Sequence, residues 1–299
     1  MKTTQTTVYR SLQNQIFKTQ NSLIELRMAA ASGKRINKPS DDPSAIRPVL
    51  NARGQIQKCD RYLRTMGSAS DRLNILDANL AQVGNLMIRA QETTIASGNG
   101  SAGPDDLRNY AATIGHIKDE LFALANANVD GKYLFSGFAE DTPPFDTSND
   151  PPWIYQGDEG RSQLEIGPGE RVQVNLTGNA LFLGEGLSGG LNVFQVLDDI
   201  ETALAAGDSQ GALDRLGDLQ QATEQIGRQR SLMGNVGARV VNAQDHMERT
   251  RIDMHEVLSR YEDVDIVEII TALMQQEQAF EAALNVTAKV SDLSILNYL

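Results

Sequence analysis

Apolar side chains recur at alternating intervals of three and four residues through most of this 299-residue chain, and that spacing confines it to long helices that each bury one seam. The first seam runs Tyr9, Leu12, Ile16, Thr19, Leu23, Leu26 and Ala30. A stronger one follows through Ala45, Val49, Ala52, Ile56, Cys59, Leu63 and Met66, then Leu73, Leu76, Leu80, Val83, Met87 and Ala90. At about 1.5 Å per residue its roughly 50 residues span about 75 Å. Its phase changes near Ser70, which overwinds a coiled coil locally or hands the helix to a new partner. A third stripe, Leu107 to Asn128, follows the Gly- and Pro-containing break at 98–104, with Pro104 suited to the first helical turn.

The second half mirrors the first. Phe194, Leu197, Ile200 and Leu204 mark a short helix ending at Gly207. A long one then runs through Ala212, Leu216, Leu219, Thr223, Ile226, Arg230, Met233, Val236, Val240, Ala243, Met247 and on to Tyr261, with a second phase change expected near Met233. Matching lengths predict that the two long helices are bundle partners. The last segment, 263–299, carries Ile266, Ile269, Leu273, Gln276, Phe280, Ala283, Thr287 and Val290 on one face.

The stretch 32–46 is the only break between the first two seams. Gly33 can close a helix in the left-handed conformation, Pro39 and Pro43 cannot continue one, and Ser40, Asp41 and Asp42 can accept the free N–H groups of the helix that follows. One helix is therefore predicted to end near 32 and the next to begin near 43.

At about residue 130 the period falls to two. Residues 132–136, 153–156, 161–166 and 171–176 read as short strands between turns rich in Gly, Pro and Asp. The fold class is thus mainly α, a long-helix coiled-coil bundle formed by the N- and C-terminal halves around a small central β domain. The expected divisions are terminal arms over 1–42 and 263–299, a bundle over 43–130 and 188–262, and a β domain over 131–187. Residues 137–182 are expected to be excisable at the cost of a surface loop.

Net charge is −12, which opposes nucleic-acid binding. Residues 1–65 hold 12 Lys and Arg against 4 Asp and Glu, whereas 245–299 hold 4 against 11, so the two ends are electrostatic complements expected to pair. No run of 18 apolar residues exists, and membrane insertion is not expected. Residues 1–7 lack the apolar core and cleavage site of a secretory signal, which alone predicts a cytosolic protein. The single cysteine, Cys59, falls on an apolar stripe and is expected in the core.

Chemical motifs are few. Gly184-Glu185-Gly186-Leu187-Ser188-Gly189 has the spacing of a dinucleotide loop, but the chain after it enters a long helix instead of the second parallel strand such a site needs. His116, His246 and His255 lack a second ligand three or four residues away, so no metal is expected. The paired carboxylates Asp41-Asp42 and Asp263-Val264-Asp265 stand at helix starts, where capping explains them. No catalytic residue and no cofactor are expected.

Residues 31–37, Ala-Ser-Gly-Lys-Arg-Ile-Asn, with Pro39-Ser40-Asp41-Asp42-Pro43 resemble the signature of the flagellin superfamily, and the two prolines resemble its hook-associated junction branch. Gly131 to Gly137, Tyr155-Gln156-Gly157-Asp158, Val236-Gly237-Ala238-Arg239 and the ending 288–299 resemble the same branch in the same order. The resemblance implies a non-enzymatic building block, exported through the flagellar type III channel without a cleaved signal, which reverses the cytosolic reading. It implies assembly outside the cell, with hook-associated protein 1 on the hook side, flagellin on the filament side, copies of itself in a ring, and a flagellar export chaperone. The implied assembly interface comprises Ile16, Leu23, Leu26, Ile266, Ile269, Leu273, Phe280, Leu284 and Leu296, and the implied hinge and caps are Gly33, Arg35, Ile36, Asp41 and Asp42. The arms are then expected to be disordered in the free monomer and to order with neighbours. A flagellin filament subunit shares the terminal design, and an intracellular coiled-coil adaptor explains the helices but neither the β insertion nor the complementary ends.

Overall fold

The structure, a computed structural model, describes residues 5–100, 102–146, 151 and 153–296. Its contacts divide the chain into two compact units, residues 1–60 with 249–299, and residues 61–248. The elements in order are α1 (Gln5–Ser32), α2 (Ile46–Ser97), α3 (Pro104–Ala125), β1 (Asn128–Val129), β2 (Lys132–Tyr133), β3 (Gln163–Gly167), β4 (Glu170–Gln173), a π-helical turn (Asn179–Leu183), α4 (Val193–Ala205), α5 (Ser209–Asp214), α6 (Leu216–Glu262) and α7 (Ile266–Leu296).

In the first unit α1 packs on α7. Thr19 and Leu23 are buried on α1, and the Thr19 hydroxyl, which would otherwise be stranded in the seam, donates to the Gln15 carbonyl. Gln276 of α7 donates to the Thr19 carbonyl, and Arg27 pairs with Glu277 at 2.8 Å. Both partners of that ion pair are well exposed, so it sets register more than it stabilises. In the same unit α2 meets α6 through Arg251 and Asp60. Cys59 is buried beside them at 3% exposure.

The second unit carries most of the core. Along α2 the buried positions Met66, Ala69, Leu73, Leu76, Leu80, Val83, Met87 and Ala90 run three-four, and the step from Met66 to Ala69 is the phase change expected near Ser70. On α6 the expected change near Met233 does not occur. The buried residues Leu219, Ala222, Ile226, Gln229, Met233, Val240 and Met247 keep one unbroken heptad phase, with Gln225 buried beside Ile226 and Glu262 buried at the helix end. Thr223 is only half-buried and Arg230 is exposed, where it forms a bidentate pair with Asp77 of α2 at 2.8 and 3.0 Å. Reading Arg230 as a seam residue displaced the apparent phase. α6 also starts later than expected, because Asp208 caps the separate helix α5 through the Gly211 N–H and the chain turns at Arg215 before Leu216.

Among the described residues the paired strands form two antiparallel hairpins, β1–β2 and β3–β4. α3 ends at Ala125, so Asn128 lies in β1 and not on the helical stripe. The β1–β2 turn places Asp130 and Gly131 at φ +53° and +82°, the double left-handed geometry for which Asp-Gly is suited. Residues 134–136 leave the ladder, and 153–156 form only a single bridge, Phe145 with Tyr155. The Tyr155 hydroxyl is instead spent locally, 2.9 Å from the carbonyls of Phe135 and Asp158. The β region is not an appendage. Phe145 and Phe182 are fully buried against Phe194 of α4, with ring centroids 5.3 and 5.4 Å away, and Phe122 of α3 closes the cluster 4.5 Å from Phe194. Residues 137–182 therefore contribute to the core of α3 and α4, contrary to the expectation that their removal opens only a surface loop.

Candidate functional site

The hinge lies wholly in the first unit. Gly33 ends α1 at φ +68°, and its N–H donates to the Ala29 carbonyl. The next residues turn back on the far end of α6: the Arg35 N–H donates to the Glu262 carbonyl at 2.6 Å and the Val264 N–H donates to the Gly33 carbonyl at 3.2 Å, with Lys34 and Asp263 bridged between them. Arg35 extends this link with its guanidinium, which donates to the Tyr261 carbonyl at 3.0 Å and to Asp42 at 3.2 Å. Ile36 is buried with Ala45 and Val49, and Leu258 of α6 packs against this cluster.

The two aspartates divide their work. Asp42 accepts from the Ser44 hydroxyl and from the N–H groups of Ser44 and Ala45, while its carbonyl takes the N–H of Ile46, so it opens α2. Asp41 reaches backwards and accepts from the N–H groups of Asn37 and Lys38, closing the loop. The helix begins at Ile46, three residues later than the sequence suggests, and Pro48 sits in its first turn, where a missing N–H costs no helical bond. These hydrogen bonds hold both carboxyls below the usual aspartate value: first those from Lys38 and Asn37 at Asp41, first that from Ser44 at Asp42.

The arms present two kinds of apolar residue. Leu23 is buried and Ile16, Leu26, Ile269, Leu273 and Phe280 are half-buried, on the faces that α1 and α7 turn toward each other. Ile266 and Leu284 are exposed at 56% and 44%. The side chain of Leu296, like those of Val290 and the residues after it, lies outside the described residues, as does the ending 297–299. A second set stays uncovered: Phe17, Ile24 and Met28 recur at seven- and four-residue intervals on α1, and Val267, Ile270 and Met274 at three and four on α7. The sequence reading missed this set because it sought one seam per helix, and each arm has two.

Elsewhere the chemistry stays empty among the described residues. The loop 184–189 follows a π-helical turn, not a strand, and its glycines serve a tight crossing in which a Cβ on Gly190 would lie 1.9 Å from the Gly184 carbonyl oxygen. Gln225 of α6 fastens the same loop, accepting from the Leu191 N–H and donating to the Leu181 and Leu191 carbonyls. No group of three or more His, Cys, Asp or Glu residues is placed to hold a metal ion, and no helix is long and apolar enough to cross a membrane, among the described residues.

Comparison with known proteins matches the helical ends of the chain. Residues 4–140 match the model of the bacterial flagellin N-terminal helical region, and residues 216–299 match that of the C-terminal helical region, together well over half of the chain. The flagellar hook-associated protein 3 of Salmonella typhimurium is 28% identical over 207 residues, 67% of this chain. That alignment spans 64% of the Salmonella protein, just under two thirds of its length. The protein of the same name from Escherichia coli is 26% identical over 294 residues and 89% of both chains. Among solved structures, Xanthomonas campestris FlgL superposes with a TM-score of 0.61 at 19% identity, covering 68% of this chain and 98% of that one, a likeness of fold.

Proposed function

This chain belongs to the bacterial flagellin family, and from that premise we propose that it is the structural subunit joining the hook to the flagellin filament. The observation that carries this reading is the likeness to a hook-associated protein 3, 26% identical along 89% of both chains. The geometry fits the role. The first and last described helices pair with each other and leave Phe17, Ile24, Met28, Val267, Ile270 and Met274 uncovered, so the arm pair offers an apolar face to a neighbouring subunit. Burying one such side chain contributes on the order of 1.5–3 kcal/mol, and repetition around a ring multiplies it.

In this reading the protein works outside the cell, at the junction, after export through the flagellar type III system with a chaperone. It contacts hook-associated protein 1 on one side, flagellin on the other, and its own copies laterally. The chemistry is assembly alone, with no reaction catalysed. Deleting the gene tests it. The expected strain keeps intact hooks, sheds flagellin into the medium and recovers filaments when the gene is returned. A deletion strain with full-length attached filaments overturns the reading, and antibody labelling along the whole filament would make the chain a filament subunit instead.

A further inference from the structure

Glu262, the last residue of α6, is 1% exposed, although an isolated buried carboxylate is among the costliest groups a protein can hold. Its Oε1 takes two cations at once, Lys34 Nζ at 2.7 Å from the loop after α1 and Arg53 Nη2 from α2. Its Oε2 accepts no hydrogen bond. Both cations keep about half of their side chains in water, at 44% and 47% exposure, so the burial falls on the carboxylate. The same residue supplies the carbonyl that accepts the Arg35 N–H, one rung of the two-bond ladder between the hinges. Three segments meet on one side chain, and two of them lead directly to the arms.

We propose that Glu262 is the positioning residue that couples the arms, fixing through Lys34 and Arg53 the directions in which α1 and α7 leave the hinge so that they enter an assembly as one body. A ladder of two hydrogen bonds in a loop containing Pro39 and Pro43 is a weak constraint on direction, and the carboxylate supplies the missing one. Its replacement frees both cations into water without burying them, so the hinge loosens while the second unit keeps its fold. The consequence for assembly rests on the function proposed above, whereas the coupling itself can be measured in the free protein.

Burial pushes the Glu262 carboxyl up, but the hydrogen bonds from Lys34 and Arg53 outweigh it and hold the group below the usual glutamate value of 4.5. The coupling is therefore complete above that value and is lost as pH falls through the lower, folded one. Arg35, Asp42 and Asp263 lie in the same hinge, and the Asp42 carboxyl is likewise held below its usual value, so the difference between wild type and Glu262→Gln isolates the glutamate.

Hydrogen exchange of the full-length monomer provides the test. In Glu262→Gln the amides of Arg35 and Val264 are expected to exchange at least tenfold faster, with the amides of α3 and α4 unchanged and the acid-dependent loosening of the hinge abolished. Glu262→Asp, which keeps the charge on a shorter stem, is expected to recover part of the protection. Wild-type exchange and an unaltered pH profile in Glu262→Gln overturn the coupling. If the hinge loosens but cells carrying Glu262→Gln swim like wild type, the claim that coupling serves assembly is overturned, and the proposed function stands or falls separately on the deletion strain.

Discussion

The neighbouring carboxylates of the hinge have different duties. Asp42 holds the first N–H groups of α2 while Asp41 ties the loop to itself, so Asp42→Ala should destabilise the start of α2 and Asp41→Ala should chiefly loosen residues 37–41. Because the folded Asp42 carboxyl lies below its usual 3.8, the stability it adds is present above that value and fades as pH falls through the lower one. Urea unfolding across pH 2–7 should show that dependence flattened in Asp42→Ala. Ile36, at 5% exposure against Ala45, Val49 and Leu258, gives a larger effect, and Ile36→Ala should cost about 2–4 kcal/mol in the first unit by the same measurement. Gly33 and Asp42 were legible in the sequence because capping chemistry is local. Glu262 was not, since its partners, Lys34 and Arg53, lie more than 200 residues away and nothing near it in sequence marks it as buried.

At the scale of single helices, apolar spacing identified every long element and the phase change at Met66–Ala69. It failed where a polar residue lies in a seam or an apolar one lies outside it. Gln229 is buried and Arg230 is exposed, and only the position of Asp77 on α2 distinguishes them. The same limit hid the uncovered faces of α1 and α7, and it separates two classes of substitution. Leu273→Asp or Phe280→Asp places a charge in the seam between the arms and should reduce the helicity of the free monomer, measured by circular dichroism. Ile24→Asp or Val267→Asp lies on the uncovered face, should change monomer stability by no more than about 0.5 kcal/mol, and should still abolish incorporation into flagella. Equal loss of helicity in both classes would show that the two faces are not distinct.

For the whole molecule, the contrast is between a second unit with an aromatic core and a first unit whose α1 and α7 have chiefly each other to pack against. Such a helix pair is marginal in water, and limited proteolysis of the monomer should trim α1 and α7 to a core of about 33–264 that keeps the hinge. Full-length resistance would contradict this. Excision of 137–182 removes Phe145 and Phe182 from the cluster shared with Phe122 and Phe194, and the melting temperature of the second unit should fall sharply. The sequence located this β region through its period of two. Its dependence on α3 and α4 was invisible, because that lies in ring contacts between residues far apart in the chain.

The ladder between residues 33–35 and 262–264 also sets an order of events in time. Every described contact that holds the N-terminal hinge to α6 joins residues more than 200 positions apart, and closing so long a stretch of unfolded chain is slow unless intervening structure has already shortened it. Residues 61–248 are continuous and can condense as soon as they are together. The first 60 residues must wait with their partners still unmade until the last helix has followed, so that the apolar faces required for association become a defined surface only at the final step of the chain's own folding.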